Sequence, residues 1–235
     1  MNLRTPLAAL GAFALLAAAS TSMLGCQSAT SPGAAASSSA VADPNGAPLG
    51  ARGVEKSNAG TNPGHAGKGT PLTPAAGHEL GAFAEGCFWG SENTFRHVAG
   101  VTATAVGYTG GHTEAPTYET VCSHTTGHAE AVLVEFDPKV VSYRELVRVF
   151  YKTHDPTTKN RQGPDVGDQY RSAVFTFNDD QAKVVASVIA EEQPKLQRQI
   201  TTEVSPMGRF YMAEDYHQQY DEKTGKESCP LPLRP

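Results

Sequence analysis

Glu85-Gly86-Cys87-Phe88-Trp89-Gly90 is the densest chemical signal in the chain, holding its only Trp and one of its four Cys. Upstream, Leu80 to Ala84 is short and mostly apolar, which suits a buried strand. Downstream, Phe88, Phe95 and Val98 recur among polar residues at roughly helical spacing. Cys87 is therefore expected at a strand-to-helix turn, near the first turn of the helix. Backbone N–H groups and the helix dipole favour an anion there and lower a thiol pKa from about 8.5. The thiolate is the nucleophile, so such a Cys beside apolar rings points to covalent chemistry on an apolar group. On this stretch alone a second reading stands level with it: a small, inert core Cys next to core aromatics.

The chain on either side of the turn reads as one α+β domain over residues 77–235, with two layers and a mixed or largely antiparallel sheet. Val101 to Tyr108 alternates as a strand and ends in Gly107-Tyr108-Thr109-Gly110-Gly111. A polar loop from Tyr118 to His128 leads into a strand over Ala129 to Phe136, stopped by Asp137-Pro138. Ser142 and Glu145 form a capping box for a helix carrying Leu146, Val147, Phe150 and Tyr151 on one face. Thr157 to Tyr170 is too polar and too rich in Gly and Pro for a core element. Ser172 to Phe177 reads as a strand, followed by a helix capped at Asn178 or Asp179 and ended near Pro194. Thr201 to Val204 reads as a last strand and Ala213 to Tyr220 as a short helix. Tyr143, Tyr151, Phe175 and Phe177 are assigned to the core.

The N-terminus reads differently. In residues 1–26, Arg4 supplies a positive n-region and Leu7 to Ala19 an uncharged apolar h-region, the pattern of an export signal, too short for a comfortable membrane span. Met23-Leu24-Gly25-Cys26 resembles a bacterial lipobox, which implies lipidation of Cys26. Residues 27–76 are dominated by Ala, Gly, Ser, Pro, Thr and Asn, with no Phe, Tyr or Trp. Such a segment is expected to be a disordered tether between anchor and domain. The export signal places the protein in the cell envelope, where disulfides are permitted. The formal charge of −5 argues against a nucleic-acid partner, and a monomer is expected.

Several motifs then fall into one pattern. Gly86-Cys87-Phe88-Trp89-Gly90, Gly107 to Gly111, the run Tyr118-Glu119-Thr120-Val121-Cys122-Ser123, Gly127-His128-Ala129-Glu130, Arg161 to Ser172, and Ala213-Glu214-Asp215-Tyr216-His217-Gln218-Gln219-Tyr220 resemble peptide methionine sulfoxide reductases of the A class. The resemblance spans about Gly81 to Tyr220. It implies a ferredoxin-like core and reduction of the S epimer of methionine sulfoxide, free or in oxidised proteins, with no cofactor and a thioredoxin-like dithiol as reductant.

Carried over residue by residue, Cys87 matches the nucleophile and Glu130 the acid. Phe88 and Trp89 match the walls that grip the substrate's methyl group. Tyr118, Asp165 and Tyr170 match residues that bind the sulfoxide oxygen or hold Glu130 and water. The chemistry agrees with those residue types. A sulfoxide sulfur accepts a thiolate only as its oxygen is protonated or strongly hydrogen-bonded, and a buried carboxyl starts neutral more readily. Cys229, in a tail expected to be flexible enough to reach the site, is the expected resolving thiol, with Cys122 as the alternative; its setting, Glu227-Ser228-Cys229-Pro230, lacks the Gly-rich turns common in the family. Pro164 and His124 are smaller departures. Three other readings compete, one of them a binding or scaffold lipoprotein that keeps the fold without the activity. Cys122-x-His124-x3-His128 has partial zinc spacing, although no metal is expected. A general disulfide oxidoreductase would favour a C-x-x-C pair, which this chain lacks.

Overall fold

A computed structural model describes residues 56–228. Its centre is a six-stranded sheet: β1 (Glu79–Glu85), β2 (Val101–Thr109), β3 (Ala129–Phe136), β6 (Ser172–Thr176), β7 (Glu203–Pro206) and β8 (Tyr211–Met212). The strands lie in the order β7-β6-β1-β3-β2-β8. Every pairing is antiparallel except β6 with β7. Helix α1 (Phe88–Arg96) connects β1 to β2, and α3 (Tyr143–Thr153) connects β3 towards β6. The inner strands thus follow the β-α-β-β-α-β order of a ferredoxin-like core, as the α+β reading requires. The small β4 (Arg161–Gln162) and β5 (Asp165–Val166) pair only with each other. Helix α4 (Asp179–Glu192) packs beside α3.

Strand alternation sorts the core into two unequal layers. One face sends Phe83, Val106, Val132, Val134 and Val174 into the main core with Phe95, Leu146, Phe150 and Val185 from the helices. The other face is built from small residues: Ala82, Ala84, Ala129, Ala131 and Ala173, with Leu133, Phe175 and Phe210. A shallow face of this kind needs only a thin cover. Ala66, Leu72, Met207 and Met212 pack on it.

That cover overturns the tether boundary at residue 76. Residues 56–76 lie against the domain, with a 3-10 turn at Pro63–His65 and isolated bridges pairing Gly60 with Ala103 and Lys68 with Tyr211. Composition misses this because side chains far along the chain satisfy the segment's backbone. The buried Glu135 carboxylate accepts from Gly64 N–H at 2.6 Å and Ala75 N–H at 3.2 Å. The Arg96 guanidinium donates to the carbonyls of Ala59 and Gly60 while paired with Glu222 at 2.8 Å. The expected signal, the Cys26 expected to be lipidated and the expected tether up to residue 55 lie outside the described residues, as does Cys229.

Other elements depart from expectation for local reasons. The loop after Thr117 contains a short helix, α2 (Tyr118–Cys122), because Thr117 and Thr120 form a reciprocal capping box. The loop Thr157–Tyr170 contains the β4–β5 hairpin. The strand expected over Thr201–Val204 is β7, which starts two residues later and runs through Pro206, and it is not the last, since β8 follows it. Ala213–Tyr220 is not a helix. The Gln218 side chain occupies both backbone groups of Val106 (2.9 Å each), and Gln219 sits in the left-handed region at φ 49°. The helix there, α5, spans only Tyr220–Thr224.

At the end of β1, Glu85 is fully buried, its carboxyl held by the Thr153 hydroxyl at 3.0 Å and by Ser91. Burial pushes this carboxyl from its ordinary 4.5 up to about 8. Between those values the fold holds a proton that the unfolded chain releases, so stability falls as pH rises. The full window is worth on the order of 5 kcal/mol. Glu85→Gln, neutral at every pH, is expected to flatten that decline in urea unfolding between pH 5 and pH 8. An unchanged slope in the variant would place the titrating group elsewhere.

Candidate active site

The turn from β1 into α1 builds the centre of the site. Cys87 is the N-cap residue of α1, 8% exposed. Its carbonyl accepts from the Ser91 hydroxyl at 3.1 Å, so the turn is tied to the helix it starts. Gly86 precedes it at φ +108°, where a Cβ would come within 2.7 Å of Gln162 Cβ. Only glycine lets the Cys87 turn close on the β4–β5 hairpin.

Glu130 enters from the neighbouring strand β3, opposite Tyr108 of β2. It is 2% exposed, and its Oε2 accepts from Phe88 N–H at 3.1 Å. The first amide of α1 thus directs the carboxyl to the residue after Cys87. A helix N-terminus favours this placement, and the register of β3 against β1 and β2 supplies it.

Aromatic rings make the adjoining wall. Phe88 is buried against Tyr108 and His217, with centroids at 6.0 and 5.0 Å. Trp89 stacks on Tyr220 at 3.9 Å and 9°, and its Nε1–H donates to His217 Nδ1 at 3.0 Å. The Tyr118 ring lies 4.6 Å from the same imidazole. Burial lowers the His217 pKa to about 4, against the pull of Glu214, so the ring is neutral at neutral pH. Glu214 accepts from Tyr118 N–H and from the Tyr108 hydroxyl, both at 2.9 Å. Burial opposes its charge, yet these hydrogen bonds hold the carboxyl below its ordinary value. Burial and the Glu214 and Glu130 carboxyls together push the Tyr108 phenol up.

The structure therefore gathers Cys87, Phe88, Trp89 and Glu130 directly and joins Tyr118 to them through His217. Asp165 pairs with Gln162 across the hairpin that meets Gly86. Tyr170 is buried in the 3-10 turn Asp168–Tyr170, which packs against β3. Sequence reasoning assigned no role to Glu214, His217 or Tyr220. Their signal was the Ala213–Tyr220 run, dense in polar and aromatic residues.

The zinc spacing leads elsewhere. His128 accepts from Gly111 N–H at Nδ1 and donates from Nε2 to the Thr113 carbonyl, and His124 Nδ1 meets Gln169 Oε1 at 2.8 Å. Among the described residues, no three His, Cys, Asp or Glu side chains gather as metal ligands.

A buried thiol at a helix start, a carboxyl one residue away and a wall of rings define a thiol-based redox site for an apolar group. Comparison with known proteins narrows it. The peptide methionine sulfoxide reductase family profile matches residues 79–235. A peptide methionine sulfoxide reductase MsrA of Methanosarcina acetivorans is 62% identical over 155 residues, covering 65% of this chain and 82% of that protein. One from Fragaria ananassa is 52% identical over 157 residues, covering 66% and 81%. Among solved structures, reduced Mxr1 from Saccharomyces cerevisiae superposes with a TM-score of 0.64 at 39% identity, covering 68% of this chain and 94% of that one. Methionine sulfoxide reductase A of Corynebacterium diphtheriae gives 0.60 at 34% identity, covering 74% and 95%. The chain belongs to the peptide methionine sulfoxide reductase family, and its reaction class is the reduction of methionine sulfoxide.

Gly86 gives a direct check on this geometry. Gly86→Ala is expected to cost about 1–3 kcal/mol of stability from backbone strain and to push back the hairpin carrying Asp165. Activity per folded molecule, with folding followed by denaturant melts, should fall with it. Full activity in a destabilised variant would show that the hairpin contact does not set the site.

Proposed function

We propose that this protein reduces the S epimer of methionine sulfoxide, free or in oxidised proteins, in the cell envelope. The observation that carries the mechanism is the Glu130 carboxyl on the Phe88 amide, one residue from Cys87. The Cys87 thiolate attacks the sulfoxide sulfur while Glu130, held out of water, delivers a proton to the departing oxygen. The hydroxyl then passes to Cys87 Sγ as the new sulfur–sulfur bond breaks with its electron pair going to the methionine sulfur, so methionine leaves and Cys87 becomes a sulfenic acid, with the methionine sulfur reduced and Cys87 oxidised by two electrons. Phe88 and Trp89 grip the methyl group, and sulfur–ring contact suits that wall. Tyr118, Asp165 and Tyr170 serve the sulfoxide oxygen and the acid.

Cys229 is the resolving thiol in this reading. Its condensation with the sulfenic acid forms a disulfide and releases water. Support comes from the chain just before it. Ser228 N–H donates to Asp221 of α5 at 3.1 Å, and Tyr220 of the same helix stacks on Trp89. The tail therefore departs from the wall of the site. A thioredoxin-like dithiol then exchanges with the disulfide and returns both thiols. The signal-like residues 1–26 and the lipobox-like Cys26 support export and lipid anchoring, and mass analysis of the mature N-terminus tests that part.

Cys87→Ser is expected to abolish turnover, and surviving activity would refute the assignment. Glu130→Gln should slow single-turnover reduction by about 10²–10⁴-fold while iodoacetamide still alkylates Cys87. A rate within about two-fold of the parent enzyme would remove Glu130 as the acid. Cys229→Ser should complete one turnover and then fail to recycle with thioredoxin, and an unchanged recycling rate would assign resolution to another thiol.

A further inference from the structure

We propose that His217 is the positioning residue of the methyl-binding wall, fixing the Trp89 indole through a single directed hydrogen bond; this rests on the reading of Trp89 as that wall.

The argument starts from donor inventory. An indole N–H can only donate, so His217 Nδ1, 3.0 Å from Trp89 Nε1, must present its lone pair. The ring proton then lies on Nε2. That atom is buried with no hydrogen-bond partner among the described residues, and the nearest carboxylate oxygen, Glu214 Oε2, is 3.9 Å away. A buried donor without a partner is costly. An apolar side chain of similar size would fill the space without that cost. What only the imidazole supplies is the acceptor facing Trp89.

The surroundings hold that acceptor still. His217 is 1% exposed and packed among Phe88, Trp89, Tyr118 and Tyr216, with centroids 4.0–5.6 Å away. The next two residues are clamped from both sides. Gln218 pairs with Val106 on β2. Gln219 donates from its backbone and its side chain to the buried Glu92 carboxyl, at 2.7 and 2.9 Å. Trp89 itself is held by stacking on one side, through Tyr220, and stacking leaves a ring able to slide and rotate in its plane. The Nε1 hydrogen bond removes that freedom. His217 thus acts on the substrate through Trp89 and not by contact.

Because Trp89 is the only Trp in the chain, its emission reports the indole directly. His217→Phe keeps a ring and removes the acceptor. It is expected to raise the KM for methionine sulfoxide about ten-fold, to leave kcat and the rate of Cys87 alkylation near those of the parent enzyme, and to shift Trp89 emission. His217→Asn, which restores an acceptor near Nδ1, should recover most of both changes. Trp89→Phe lacks the N–H donor, and in that background His217→Phe should raise KM no further. His217→Leu carries the same comparison should the Phe variant fold poorly. Unchanged KM and emission in the acceptor-less variants would overturn the proposal, as would a full KM effect in the Trp89→Phe background. The emission shift needs no turnover, so it separates failure of this inference from failure of the assigned reaction.

Discussion

The contact on which the site depends is the one from the Phe88 amide to the Glu130 carboxyl. It joins two elements that are separate in sequence, the helix start that carries Cys87 and the central strand β3. A carboxyl alone in this core would be left without a partner, and burial of such a group is costly. The first turn of a helix offers N–H groups that nothing inside the helix can use. Each need meets the other, and the result is a buried carboxyl fixed one residue from the Cys87 thiol. The sheet makes this possible, since β3 lies between β1 and β2 and its register sets Glu130 opposite Tyr108.

Around that contact the molecule distributes rigidity unevenly. The helical face of the sheet is filled by Phe, Val and Leu and closes the main core. The alanine-rich face is covered by chain whose backbone is held by the carboxylate of Glu135, while the Arg96 guanidinium holds Ala59 and Gly60, of which Ala59 packs on the main core. The aromatic wall is fixed a third way, by a loop whose own side chains substitute for strand pairing at Val106 and bind Glu92. Burial raises the Glu92 pKa, offset by bonds from Gln219 and Thr104 and by Arg96. Helix α1, the loop and the N-terminal segment therefore share one buried polar network, with Arg96 and Glu92 one turn apart on α1.

How much of this the sequence revealed depends on where each partner lies. Cys87, Phe88 and Trp89 are contiguous, and Glu130 closes a compact motif, so their meeting in one place was legible. The inner strands and α1, α3 and α4 followed from periodicity and caps, since those signals are local. The packing of residues 56–76 was hidden because its composition is that of a linker and its partners, Arg96 and Glu135, come later in the chain. The false helix at Ala213–Tyr220 has the same cause. Nothing in its spacing says that Gln218 will bond to Val106 or that Gln219 will turn left-handed. His217 reads in sequence as a loop or helix-surface residue and is instead buried, because its partner is 128 residues away and a lone His in a polar run has no distinctive pattern.

The central claim is that Cys87 takes the oxygen of one sulfoxide epimer. Trapping tests it most directly. Cys229→Ser enzyme is mixed with purified S or R methionine sulfoxide in the presence of dimedone, and the labelled peptide is identified by mass spectrometry. The account predicts a dimedone adduct on Cys87 with the S epimer and none with the R epimer. An adduct on Cys122, or equal labelling of Cys87 by both epimers, would contradict it.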